Sequence, residues 1–261
     1  ALYNANVKAG VDYMEFGYKA SKEIFNEEDF GKWKFCNDAD IRKIVGDNKT
    51  PLKIAVMADV GRTDFKKDII AKKDSPIDLI TAIPAAVEMI EDAAKKGYET
   101  TINIMAVSKA RTEDITAALE TLGKTPVNAF YIVDSYGALY PEESRRLADL
   151  YCSIADKYGK SVGIHAHNNQ QLAFANTIEA MTRVSATLTQ PLTAWAEAQA
   201  TVRLNFFSVS SRTRSIRLLL FSKSLRSTPT SLRLRALSGV TIFRTFSQVS
   251  TTHIPVLQFS S

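Results

Sequence analysis

Three consecutive stretches decide the fold: "VNAFYIVDSYG" (127–137), "PEESRRLADLYCSIADKYGK" (141–160) and "SVGIHAHNN" (161–169). The first and third read as strands. The second has helical spacing and opens on Pro141, a residue preorganised for the first helical position. Strand, helix and strand at this spacing argue for two parallel strands joined by a right-handed crossover.

The same alternation continues outward in both directions. "VDYMEFGY" (11–18), "PLKIAVMADV" (51–60) and "YETTINIMAV" (98–107) read as strands. "AIPAAVEMIEDAAKKG" (82–97) reads as a helix, with Lys95 and Lys96 in its last turn and Gly97 as its stop. "TEDITAALETLGK" (112–124) reads as a helix with Thr112 as N-cap and Glu113 and Asp114 at the positive end of its dipole. "QQLAFANTIEAMTR" (170–183) is a further helix. The class is α/β, and either a doubly wound sheet or a (β/α)8 barrel satisfies the pattern. Between "IDLI" (77–80) and the helix from Ala82 there is hardly room for a full strand and its loop, so a strand looks deleted or shortened there. After Arg183 the alternation collapses.

Charge divides the chain at the same place. Residues 1–183 carry a net charge of −3 and residues 184–261 a net of +8, so the overall +5 belongs to the tail. That tail holds 25 Ser and Thr in 78 residues, with no Asp, one Lys and one Gly, and no sustained period. Its arginines, Arg212, Arg214 and Arg217 among them, lack the interleaved aromatics and the fold of a nucleic-acid binder. No apolar run approaches the roughly 18 residues needed to span a bilayer, and no signal peptide is seen. Two cysteines, Cys36 and Cys152, cannot make a disulfide framework. The expectation is a reduced, cytoplasmic protein without nucleic-acid or membrane partners, and the opening "ALYNANVKAG" reads as the middle of a helix in a longer natural chain.

The chemistry-bearing residues gather at strand ends. His165 and His167 stand two apart on one strand, so both imidazoles present to one face. They are either ligands of a divalent cation, neutral imidazole being the commonest protein ligand, or a pair with satisfied hydrogen bonds. Asn168 and Asn169, which follow, can donate to a substrate or turn the chain. Glu15 lies near the end of the first strand, as a site carboxylate or a solvated charge. Asp134-Ser135 with Gly137 closes another, as metal support, substrate contact or turn. Asn103 and Met105 share a face of "TINIMAV" with the spacing of core residues, and Asn103 is a candidate substrate contact. Cys152, mid-helix beside Leu150 and Ile154, reads as a packed thiol. No lysine stands at a strand end as a Schiff-base nucleophile needs; Lys53 begins its strand.

"GIHAHNNQQLAFANTIEA", "VDYMEFGYKAS" and "YIVDSYGALYPEE", in this order and spacing, resemble the metal-dependent aldolase/lyase barrels. That group includes 4-hydroxy-2-oxovalerate aldolase and hydroxymethylglutaryl-CoA lyase, with isopropylmalate synthase as a relative. The likeness covers roughly residues 1–183, a partial TIM-barrel catalytic domain. It implies a divalent metal (Mn, Mg or Zn) held by His165 and His167, Ser135 at the substrate's 2-oxo acid end, and Glu15 and Asp134 as acidic site residues. The implied reaction is carbon–carbon cleavage or formation in a 4-hydroxy-2-oxo acid, with the metal holding the carboxylate and keto oxygens and stabilising the enolate. The alternatives are an acyl-CoA-dependent condensing enzyme and a non-catalytic fragment. The implied partners are a small 2-oxo acid, a second copy of the chain, or an aldehyde dehydrogenase that takes the product.

The pattern is incomplete in three places. The family's first strand, whose "LRDG" run supplies a metal-binding Asp and an Arg, would precede Ala1. The fourth is shortened near Ile80–Ala82. The eighth, with a "GLGRGAGN"-like run, is not seen after Arg183. Yet "TAWAEAQAT" (193–201) is what a coding strand such as ACG GCC TGG GCC GAG GCG CAG GCA ACT would give, and the same strand read from its third base gives G-L-G-R-G-A-G-N. The expectation is that residues 184–261 are an out-of-frame reading of the genuine barrel end.

Overall fold

The computed structural model of the chain describes residues 1–83, 87–187, 192–197 and 216–221. Eight parallel strands form a ring: β1 (Tyr13–Tyr18), β2 (Lys53–Asp59), β3 (Leu79–Ile83), β4 (Glu99–Ile104), β5 (Ala129–Asp134), β6 (Ser161–Ala166), β7 (Leu192–Glu197) and β8 (Ile216–Phe221). Seven helices accompany them: α1 (Leu2–Ala9), α2 (Asp38–Val45), α3 (Phe65–Asp68), α4 (Val87–Lys95), α5 (Thr112–Gly123), α6 (Pro141–Tyr158) and α7 (Ala173–Thr187). Among the described residues no helix lies between β7 and β8, so the architecture is an incomplete TIM-type barrel.

The strands form because their residues serve two cores at once. Outward-facing Ile54, Val56, Ile80, Ile102, Phe130, Ile132, Val162 and Ile164 pack under the helices. Inward-facing Tyr13, Ala55, Met57, Leu79, Ala129, Tyr131 and Val133 fill the barrel. Burial on both faces is what makes these segments read as continuous apolar runs rather than alternating ones. At the N-terminal mouth Lys53 pairs with Glu99, which also accepts a 2.6 Å hydrogen bond from Tyr13. That polar group stoppers the end of the barrel opposite the candidate site.

Two expectations change. The segment after Asp78 is a strand of five residues, the shortest in the ring, paired with β2 and β4. It is shortened, not deleted, and Ala82 and Ile83 belong to it, so α4 starts at Val87. Thr112 is the first helical residue of α5, and Arg111 is the N-cap. The Thr112 hydroxyl instead accepts from Arg146 at 3.1 Å.

β1 bulges after Glu15, where its register against β2 shifts. Gly17, at φ 154°, makes this possible: a Cβ there would lie 2.1 Å from the Trp33 carbonyl oxygen. Chain 31–36 therefore passes directly against β1, a closeness only glycine tolerates.

Candidate active site

Register fixes which side chains meet inside the barrel. Across two strands the inward-facing level advances by two residues, the stagger of an eight-stranded barrel. From Glu15 the pairings run to Ala55 and Leu79, and two residues on is Thr81; the same rule carries Thr81 to Tyr131. The Thr81 hydroxyl donates to Glu15 Oε2 at 3.3 Å, which places the two on one level, and Thr101 joins Thr81 at 3.2 Å. On the even strands the rule carries Met57 to Asn103 and Asn103 to His165. Asn103 and His165 thus share the level above Glu15, Thr81 and Tyr131, nearer the C-terminal mouth, where barrel active sites sit.

At that level the two histidines converge. Their Nε2 atoms are 2.9 Å apart, with ring planes at 78°. His165 is only 8% exposed. Burial, reinforced by the neighbouring His167, lowers its pKa from 6.5 to about 3, so the imidazole is neutral, the protonation state a metal ligand needs. Two cis ligands at about 2.1 Å from an octahedral cation stand about 3.0 Å apart, so the pair fits two positions of a divalent metal. Among the described residues no group of three His, Cys, Asp or Glu forms. β8 lies between β7 and β1, the place that the resemblance assigns to the Asp-bearing first strand, and its sequence, "IRLLLF", contains no carboxylate.

The other candidates are placed as follows. Asn103 is buried on β4 and its side-chain oxygen has no hydrogen-bond partner, an arrangement that invites a donor from a ligand. Glu15 is fully buried, third of six strand residues, in the interior and not at the lip. The Asp134 carboxylate accepts from the Ala138 and Leu139 amides at 3.1 and 2.9 Å, so it holds the loop 135–139 closed. Ser135 Oγ accepts from the Ala106 amide at 2.9 Å, tying the loop after β4 to the end of β5. Asn168 turns the chain: its side chain accepts from Ala173 at the start of α7. Cys152 is fully buried with its pKa pushed up to about 12 by burial, a packed thiol.

Sequence reasoning missed Lys19, Asn176 and the Thr81–Thr101 pair. Lys19, just past β1, is buried, pairs with Asp38 and donates to the Cys36 carbonyl at 3.1 Å. That ion pair and hydrogen bond make it a structural residue. Asn176, inside the "ANTI" run, donates from its side-chain amide to Leu139 O at 2.7 Å, while its backbone carbonyl accepts from the Ser144 hydroxyl. It locks α6, α7 and the 135–139 loop together, which explains why an asparagine stands on the buried face of α7.

The comparisons bear on the family and the fold. An oxaloacetate decarboxylase from Mycobacterium tuberculosis is 31% identical over 102 residues, 39% of this chain and 30% of that protein. A 4-hydroxy-2-oxovalerate aldolase from Geobacillus stearothermophilus is 31% identical over 102 residues, 39% of this chain and 29% of that protein. The match thus spans less than a third of those relatives' length. Among solved structures, the N-terminal domain of a putative aldolase from Bacteroides vulgatus superposes with a TM-score of 0.64 at 19% identity, covering 95% of this chain and 81% of that one. A pyruvate carboxylase from Rhizobium etli gives 0.52 at 14% identity over 76% of this chain and 21% of its own. Both show the shared barrel fold. A family model described as HMGL-like matches residues 1–189, which contain the histidine pair, Glu15, Asn103, Asp134 and Ser135. By that match the chain belongs to the HMGL-like family, a family of lyases and aldolases.

Proposed function

We propose that this barrel is a divalent-metal-dependent carbon–carbon lyase acting on a small 2-oxo acid, cleaving or forming the C3–C4 bond of a 4-hydroxy-2-oxo acid. The observation that carries the reading is the convergence of His165 and His167 Nε2 atoms at 2.9 Å on the level of buried Asn103. The relatives named oxaloacetate decarboxylase and 4-hydroxy-2-oxovalerate aldolase support the same chemistry. Losing carbon dioxide from one substrate and an aldehyde from the other both break C3–C4 and leave the electron pair on C3, delocalised onto the keto oxygen.

His165 and His167 would hold the metal, whose contribution when bound is Lewis-acid polarisation of the 2-oxo acid. Asn103 orients the substrate through its buried amide. Ser135 faces the 2-oxo acid end, Asp134 keeps the Ser135 loop in place, and Glu15 lies buried one level below the site, accepting from Thr81. The test is cleavage of 4-hydroxy-2-oxopentanoate by the full chain with Mn2+, with and without EDTA. Expected is aldehyde release that EDTA abolishes. If neither aldehyde nor carbon dioxide from oxaloacetate exceeds the free-metal background, the reading fails.

The domain boundary belongs to the same proposal: residues 1–183 form the partial catalytic barrel, and 184–261 are an out-of-frame reading of its end. The family match ending at residue 189 supports this. Sequencing the gene decides it, since a one-base shift near codon 184 must restore the glycine-rich run.

A further inference from the structure

Residues 19–37 join β1 to α2, far longer than the usual connection of about 4–6 residues. Loops at this end of a barrel are where function gathers. The far end of the segment is pinned against β1. The Trp33 carbonyl packs on Gly17, the Lys34 carbonyl accepts from the Ala20 amide at 3.0 Å, and the Lys34 amide donates to Gly31 O at 2.9 Å. From that fixed backbone the Lys34 ammonium meets three rings. It lies 4.3 Å from the centre of Phe25, 5.1 Å from that of Tyr18 and 5.5 Å from that of Phe30. Phe25 and Phe30 themselves stand edge to face at 5.4 Å. The ring faces attract the cation and restrict its stem. They carry no net charge, so they aim the positive charge without cancelling it.

Tyr18 brings that charge to the mouth of the barrel. Between Glu15 and Tyr18 three residues of β1 span two of β2, so Tyr18, paired with Met57, continues the inward row. With Ile83 it packs against the interior group that holds Met57 and Val133. The stagger that carries Thr81 to Tyr131 also carries Ile83 to Val133, and Val133 pairs with His165. Tyr18, Ile83 and Val133 therefore make the layer directly above Asn103 and His165. Lys34 stands on that layer through the Tyr18 ring.

We infer that Lys34 is a specificity-determining residue whose ammonium binds a second carboxylate on the substrate, so that the preferred substrate is a 2-oxo dicarboxylate. The inference rests on the lyase reading above. In that reading Ser135 faces the 2-oxo acid end, and Ser135 follows β5, which lies opposite β1 in the ring of eight strands. A substrate seated on the histidines with its 2-oxo acid end towards β5 thus turns its other end towards β1 and Lys34. One ammonium matches the single charge of a carboxylate, and a cation already held in place loses little freedom on binding it.

The test is binding of 2-oxoglutarate and 2-oxopentanoate to the full chain with Mn2+, measured by titration calorimetry. The two have equal chain length, and neither carries a leaving group across C3–C4. The dicarboxylate is expected to bind at least about tenfold more tightly, the size of one hydrogen bond to a charged group, with a preference that shrinks as salt is raised. Lys34→Met and Lys34→Gln should bring the ratio towards one, and Lys34→Arg, which keeps the charge and stacks on rings, should retain it. Equal affinities in the natural protein, or a preference kept in both neutral variants, overturn the inference. If 2-oxopentanoate binds with no preference for the dicarboxylate, the role of Lys34 fails and the lyase reading stands. A Lys34-dependent preference without aldehyde or carbon dioxide release does the reverse, and no binding of either acid sinks both.

Discussion

At the scale of single residues, His165 is strongly perturbed by its burial. In the unfolded chain its imidazole takes a proton near pH 6.5, whereas burial beside His167 delays that to about pH 3 in the folded protein. Between those values the unfolded state binds the extra proton. Stability therefore falls as pH drops through this window, by at most about 1.4 kcal/mol per pH unit, and the penalty is absent above it. Urea midpoints in metal-free buffer should be lower at pH 5 than at pH 7.5, and His165→Gln should flatten the difference; equal midpoints in the natural chain would contradict the burial argument. The metal reading makes a separate prediction. Replacing His165 or His167 by Ala should weaken Mn2+ binding by at least about tenfold, the lower end of what losing even an outer-sphere partner costs. Electron paramagnetic resonance of free Mn2+ reads this directly.

At the scale of elements, the loop 135–139 shows how a strand end becomes a site. Asp134 ends β5 with its carboxylate fully buried and its two oxygens on the Ala138 and Leu139 amides. Asp134→Ala should cost about 1–3 kcal/mol, since two buried amides lose their acceptor. Chemical denaturation measures this, and a change below a few tenths would show that water replaces the carboxylate. Gly137, at φ 57°, meets the His167–Asn169 backbone too closely for a side chain. Gly137→Ala should destabilise by roughly 1–3 kcal/mol and displace His167. Its Mn2+ affinity should fall along with its stability, and unchanged metal binding would show that the loop and the histidine strand are independent. Such elements were partly legible in the sequence: Asp-Ser-x-Gly announces a turn. Which amides the carboxylate serves depends on how the loop closes, which no spacing encodes.

At the scale of the whole molecule, the barrel separates a stability end from a chemical end. Lys53, Glu99 and Tyr13 cluster at the N-terminal mouth, opposite the histidines. Lys53→Met should shift stability by less than about 1 kcal/mol, since the pair is more than a third exposed, and should leave Mn2+ affinity unaltered. A loss of metal binding there would show that the two ends are coupled. The alternation of strand and helix, the two histidines on one face and the packed Cys152 were all legible in the sequence, because each rests on periodicities of two and 3.6 that local chain geometry imposes. The tertiary structure alone decided the rest. It placed Asn103 on the level of His165 and Glu15 one level below, sent Lys19 to Asp38, showed β3 to be a complete if short strand, and left Met105 at the mouth and out of the core. These outcomes depend on the stagger between strands far apart in the chain. Stagger is a property of the closed ring of hydrogen bonds, so no single segment carries it.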